Sequence, residues 1–289
     1  MSPSPPATEV ATDLVSDILK SISIPPCPAV LTTLLQESRR EDVDFPKIVR
    51  LISSDLGLAA STMKMANSPF FGLRQKVQSV QHAATILGLK NILNIITGIS
   101  LRQAISPKGI NMERFWERSS YHAIVSARLA RRIPGISTED AYTFGLFHDC
   151  GIPILMQRFP DYKDTLALAN RSQQPMRELE NERHNTDHTA VGAMLARNWQ
   201  LPPLIVDAVR THHDLAENAE GLPGELRDLS AISLVADYII CDFLNLAPEA
   251  ERNANGADAL DHLGLDADEL DDLKHDIHQE LSNIRAERG

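Results

Sequence analysis

Cysteine is scarce in this chain: 289 residues hold only Cys27, Cys150 and Cys241, and no two of them are closely spaced. Neither a disulfide framework nor a cysteine-based zinc site can be built from such a set, and a reducing compartment fits best. Long apolar runs are missing too. The most apolar stretch, Ile86 to Ile99, is interrupted by Gly88, Lys90, Asn91 and Asn94, short of the roughly 18 uninterrupted apolar residues of a membrane span. The opening MSPSPPATEVATD has neither the basic nor the apolar segment of a signal peptide, so the expected location is cytoplasmic, without membrane attachment. Positive charge is in deficit, with 28 Lys and Arg against 39 Asp and Glu and a net charge of −11. Direct nucleic-acid binding is not expected of such a chain, because phosphate-backbone affinity comes from clustered Lys and Arg. No Walker motif and no Gly-x-Ser-x-Gly elbow occurs, so neither a nucleotide cofactor nor serine-hydrolase chemistry is expected. Alternating β-branched runs, internal repeats and low-complexity tracts are absent as well.

What is present is helical periodicity along most of the chain. Hydrophobic residues make up 43% and charged residues 23%, an ordinary globular balance that rules out wholesale disorder. Leu14, Ile18 and Ile22 recur at helical spacing before Pro25-Pro26 stops the first helix. Further helices are predicted from Pro28 to Arg39, from near Pro46 (entered at Asp44 or Phe45), and from Leu56 to Ala66. Asn67-Ser68-Pro69 is a turn signal. Ser79 caps a long helix in which Gly88 marks a close approach of two helices. Beyond the break at Ser106-Pro107-Lys108-Gly109 come Phe115–Ile133, Thr138–Phe159, Tyr162–Arg171, Thr186–Gln200, Pro202–Ala216 and Leu226–Leu244. The predicted organisation is an extension and first helix over 1–19, a helical lobe over 20–106, a second over 107–245 and an acidic tail over 246–289.

The charge is uneven. From Glu249 to Gly289 there are twelve acidic and four basic residues, so −8 of the net −11 lies in the tail. Leu270, Leu273, Ile277 and Leu281 nevertheless keep helical spacing there, which predicts an amphipathic helix docked on the second lobe with a solvated acidic face.

The ten histidines are the richest source of chemistry. His148-Asp149 interrupts the apolar GLFHDCGIPIL, where ionisable groups are costly without partners. His188 follows Asp187 at the start of a later helix, His212-His213 ends the next one, and Asp237 interrupts AISLVADYII. Imidazole with carboxylate suits Fe, Mn or Zn held between facing helices. Each element has a plainer reading: His148-Asp149 as a hydrogen-bonded polar island, Asp237 as a surface residue, Cys150 as a packed thiol.

Several segments resemble one family in order and spacing, over about residues 20–240. Asp55-Leu56-Gly57-Leu58 through Met63-Lys64-Met65-Ala66-Asn67-Ser68-Pro69-Phe70 resembles the HDOD signature DPxL…LLxxANSxxY. Val77-Gln78-Ser79-Val80 with Ala83-Ala84-Thr85-Ile86-Leu87-Gly88 is similar to that family's next element. Phe115-Trp116, Gly145-Leu146-Phe147-His148-Asp149-Cys150-Gly151, Asp187-His188-Thr189-Ala190-Val191-Gly192, Trp199-Gln200-Leu201-Pro202 and His212-His213 follow in order. The resemblance implies an all-α bilobed fold whose second lobe is related to HD-superfamily phosphohydrolases. It also implies a divalent-metal site at His148, Asp149, His188, His212 and Asp237. His148 and Asp149 would be catalytic if the protein is an enzyme.

The chain departs from that pattern at one position. Two residues after Trp116 the family has a histidine; here Arg118 stands there and cannot ligate. His122 lies one turn on, on the same helical face, as a substitute ligand. Arg118 either binds phosphate or neutralises the carboxylates, or it faces solvent; His213 is a second ligand-contacting candidate. The expectation is a signal-transduction regulatory module with a degenerate metal site and a signalling-protein partner that supplies its input. The alternative is a metal-dependent phosphohydrolase acting on a phosphomonoester, nucleotide or cyclic dinucleotide.

Overall fold

The computed structural model describes residues 18, 21–107, 109–172, 174–215, 222–246 and 250–286. The expected helix from Leu14 falls largely outside them. Among the described residues the fold is all α, and its two lobes share one continuous apolar core.

The first lobe contains α1 (Ala29–Ser38), α2 (Phe45–Ser53), α3 (Leu56–Ala66), a 3-10 turn (Pro69–Phe71) and α4 (Val80–Ala104). The side chains of Asp44, Asp55 and Ser79 accept from the third amide of α2, α3 and α4 respectively. Each satisfies an amide that the helix leaves unpaired. Asn67 does more than end α3. Its amide donates to the Val77 carbonyl at 3.0 Å and its Oδ1 accepts from the Val77 N–H at 2.7 Å, which pins the connection to α4.

Gly88 corrects an expectation. It has φ 79° and ψ 169° and breaks α4, and a Cβ there would meet no atom within 4 Å. The residue is glycine because the backbone enters the positive-φ region, not because another helix passes close. Val80–Ala104 is the one helix among the described residues long and apolar enough to cross a membrane by length and composition.

The second lobe holds α5 (Glu113–Ala130), α6 (Thr138–Phe147), α7 (Gly151–Arg158), α8 (Tyr162–Ala169), α9 (Met176–His184), α10 (His188–Asn198), α11 (Pro203–Thr211) and α12 (Gly224–Leu244). Two of these depart from the sequence reading. The helix expected over Thr138–Phe159 is interrupted at His148–Cys150, where Cys150 N–H bonds Phe147 O and Ile152 N–H bonds Asp149 O. These three-residue bonds turn the chain, so the His-Asp doublet occupies a junction between helices. The helix α9 was not expected, because MRELENERH is strongly charged and buries only Leu179, Glu180 and His184.

The lobes meet along α4 and α6. Thr143 donates to Asn94 Oδ1 at 3.0 Å, Asn94 donates to Glu139 O at 3.2 Å, and Phe70 stacks on Tyr142. The tail forms α13 (Ala250–His262) and α14 (Ala267–Ala286). Leu270, Leu273, Ile277, Leu281 and Ile284 of α14 are buried, each contributing roughly 1.5–3 kcal/mol as an upper bound. Ion pairs Arg132–Glu269 at 2.8 Å and Lys274–Asp242 at 3.5 Å add polar contacts to the second lobe, while α14 also touches the Pro69–Phe71 turn of the first.

Candidate metal centre

Three imidazoles converge on Asp149, and the local chain explains each. His148 ends α6, and its Nδ1 lies 2.7 Å from the Gly145 carbonyl. His212 ends α11, with Nδ1 2.9 Å from the Val209 carbonyl. His188 opens α10, with Nδ1 2.7 Å from Glu180 Oε2. A carbonyl or carboxylate oxygen only accepts, so each Nδ1 carries the hydrogen and each Nε2 points at the Asp149 carboxylate. His148 Nε2 is 3.1 Å from Asp149 Oδ2. His188 Nε2 and His212 Nε2 are 3.5 and 3.9 Å from Oδ1.

Two glycines permit this convergence. A Cβ on Gly145 would sit 2.8 Å from the Ala123 Cα and from the His122 carbonyl; one on Gly151 would sit 2.0 Å from the His188 carbonyl. Without side chains, α6 closes on α5 and the start of α7 closes on the start of α10.

Donor atoms of Asp149, His188, His212 and His213 all lie within 4.8 Å of one another. This spacing suits ligands to one ion at the usual 2.0–2.3 Å. The donor chemistry fits as well. His212 Nε2 is buried and has no hydrogen-bond partner, while its Nδ1 is held by backbone, the arrangement that orients a metal-binding imidazole. His213 Nε2 approaches His188 Nε2 at 3.1 Å.

The second set, His122, His148 and Asp237, is engaged differently. His122 is fully buried and stacks on His148 with centroids 3.7 Å apart. Ser126 Oγ lies 3.2 Å from its Nδ1 and Ser233 Oγ 3.3 Å from its Nε2, which is 3.9 Å from Asp237 Oδ1. Arg118 donates to Asp237 Oδ1 at 2.9 Å. Of its alternatives, the structure thus shows the one in which it neutralises a carboxylate. Asp237 lines the cavity beside the doublet.

Burial and neighbouring charge oppose each other throughout. Burial disfavours charging His188, but the Glu180 and Asp149 carboxylates outweigh it and raise its pKa from 6.5 to about 9. His148 is likewise raised, because Asp149 overcomes burial. Burial alone would raise Asp149, yet the His148 and His188 imidazoles hold it well below the usual carboxylate range. Asp237 is brought to about 2 by Arg118 against burial. Burial and the adjacent imidazole of His148 lower His122 to about 3, and burial with His213 lowers His212. The metal-free centre therefore pairs the Asp149 carboxylate with a His188 imidazole that is protonated at neutral pH.

Every residue named from the sequence for this site lies at or beside it. The sequence reading missed Glu180, which is wholly buried and also accepts from the His188 N–H at 3.2 Å and from the Tyr162 hydroxyl. Its one signal was placement with His184 on a helical face that the charge of α9 concealed. Cys150 is buried and burial pushes its thiol well up, so it is a packed thiol.

A bilobed all-α fold carrying a His-Asp doublet at a helix junction, with further histidines and an aspartate around it, defines an HD-like helical protein. The chain belongs to the HDOD domain family, which it matches over residues 24–215. An uncharacterised protein of Treponema pallidum is 27% identical over 215 residues; the match covers 72% of this chain and 41% of that relative, so the chain spans less than half its length. Among solved structures, a candidate phosphohydrolase of Shewanella amazonensis superposes with TM-score 0.73 at 22% identity, covering 94% of this chain and 97% of that one. A candidate signal transduction protein of Marinobacter aquaeolei gives 0.73 at 21% identity, covering 96% and 65%. At these identities the structural likeness shows the fold.

Proposed function

We propose that this HDOD protein is a signal-transduction module that senses a ligand at a one-metal HD-like centre and passes the result to a protein partner. The observation that carries the reading is an asymmetry. Around Asp149, imidazoles with anchored Nδ1 atoms turn their Nε2 atoms toward the carboxylate; around Asp237, a guanidinium already balances the carboxylate. Asp149, His188 and His212, with His148 and His213 beside them, would hold Fe, Mn or Zn. Such an ion supplies Lewis acidity toward an oxyanion and lowers the pKa of water. This chain's residues do the rest: Glu180 orients His188, Arg118 offsets Asp237, and the cavity admits the ligand. A protein partner is supported by the first lobe, where Lys64, Arg74, Lys76 and Lys90 are exposed and Leu56 is 86% exposed. These cations make no ion pair among the described residues, which favours an acidic partner surface.

Hydrolysis is the second reading, favoured by the opening of the same centre into a cavity of about 790 Å³, ample for a small-molecule ligand. Metal analysis with a phosphatase and phosphodiesterase screen separates the two. About one metal ion per chain and no turnover supports the sensing reading. Turnover that disappears in His148→Ala and Asp149→Ala replaces it with the hydrolase, and a protein that retains no Fe, Mn or Zn removes both.

A further inference from the structure

The wall of the cavity above the centre carries two arginines with no role in the site described so far. Arg114 lies in the first turn of α5 and Arg285 in the last turn of α14, and both line that cavity. Their neighbours are engaged: Glu113 with Arg102 at 3.2 Å, Arg118 with Asp237 at 2.9 Å, and Glu269 with Arg132 at 2.8 Å. Arg114 and Arg285 are exposed and make no ion pair with a described residue. Helix electrostatics does not account for Arg114, because a cation in a first turn opposes the helix dipole. Arg285 suits the dipole of α14, yet its position is not that of a loose end. Ile277, Leu281 and Ile284 are buried and seat the last turns of α14, holding Arg285 at the cavity.

The lining is mixed, with Phe115, Leu166, Met176 and Leu246 beside Glu117 and Asn170. Leu246 is 49% exposed, so a ligand covering it would remove apolar surface from water. The floor is the imidazole–aspartate cluster. The two guanidinium forks carry two positive charges, which the single charge of a carboxylate only half balances. A terminal phosphate, with two negative charges and three free oxygens, can engage both forks.

We infer that the cavity takes a phosphate monoester with an apolar body, and that Arg114 and Arg285 clamp its phosphate. This rests on the sensing reading of the centre and gives its ligand a chemical class. It also gives the acidic tail a role, since Arg285 lies outside the residues 24–215 that match the family.

Calorimetric titration of the full-length chain tests it, with 1-naphthyl phosphate, inorganic phosphate and 1-naphthoate as probes, in Mn-loaded and chelator-treated protein. 1-Naphthyl phosphate is expected to bind more tightly than either other probe. Arg114→Gln and Arg285→Gln are each expected to weaken it roughly tenfold, the effect of one charge-assisted hydrogen bond, and Arg114→Lys and Arg285→Lys by less. Both sites are exposed, so an unchanged Tm accompanies each substitution. The clamp is overturned if both Gln variants bind like the parent, if naphthoate or inorganic phosphate binds as tightly, or if no naphthyl phosphate binds in either state. A protein that retains no metal yet loses affinity in the Gln variants keeps the clamp and loses the metal centre; metal retention with silent Gln variants does the reverse.

Discussion

Glu180 grips His188 twice through one oxygen: Oε2 accepts from the His188 backbone N–H at 3.2 Å and from its Nδ1 at 2.7 Å. The carboxylate therefore sets both the start of α10 and the direction of the imidazole Nε2. Glu180→Gln keeps an acceptor of the same shape and removes the charge. Metal affinity in a chelator competition is expected to fall roughly 10–100-fold, the usual range for such supporting partners, with the helix content unchanged. Undiminished affinity in a folded Glu180→Ala protein would show that His188 needs no such partner.

Metal uptake should release protons. His188, raised to about 9 by Glu180 and Asp149 over the opposing effect of burial, is protonated at neutral pH. About one proton per ion, from His188, is expected at pH 7, read from calorimetry in buffers of different ionisation enthalpy. Because metal competes with protons, affinity should rise with pH and level off above about 9. The metal-free protein should behave oppositely. A folded-state pKa above 6.5 contributes stability that is complete below 6.5 and lost as pH climbs through about 9. Proton release near zero at pH 7 would contradict the charge state assigned to the centre.

Arg118 pairs with Asp237, a member of the second donor set with His122 and His148. Arg118→His is expected to raise the metal content from about one ion per chain to two, by giving Asp237, His122 and His148 a further imidazole; inductively coupled plasma analysis of dialysed protein is the measurement. An unchanged count would mean that the serine contacts of His122 keep the second position closed.

Loss of the same guanidinium has a pH signature. Asp237, held at about 2 by Arg118 despite burial, contributes stability that is full above 3.8 and lost as pH falls from there through 2. Arg118→Gln should lower Tm at pH 7, and the gap to the parent should close as pH approaches 2. A gap that stays constant over that range would mean the pair contributes nothing through Asp237.

Gly151→Ala probes the packing that assembles the site. Its Cβ would lie 2.0 Å from the His188 carbonyl, and the start of α7 must move away from α10. A loss of about 3 kcal/mol or more is expected, at the upper end for overpacking, or roughly 6–12 °C in Tm for a chain of this size. Metal affinity should fall with it; a native Tm would mean the two helices separate at little cost.

Local chemistry was legible in the chain itself. Asp44, Asp55 and Ser79 announce the starts of α2, α3 and α4 because a cap needs only its own next three residues. Leu270, Leu273, Ile277 and Leu281 announce a buried stripe because helical spacing alone puts them on one face. His148, Asp149, His188, His212 and Asp237 stood out as ionisable groups in apolar settings or through their family resemblance. Other facts arise between segments distant in sequence. Glu180 looked like one more charge on a polar helix until Tyr162 and His188 closed over it. Arg118 is paired with Asp237, 119 residues away, a contact no local spacing could announce. Gly88 and Gly151 are alike as letters, yet one serves a backbone angle and the other a contact. The sequence by itself determined most of the helices, the acidic tail and the imidazoles and carboxylates of metal-ligating type, since those depend on residue type and short-range spacing. Only the tertiary structure decided which nitrogens face Asp149, which carboxylate is already neutralised, and that an arginine of the acidic tail reaches the cavity, because burial and charge act through space.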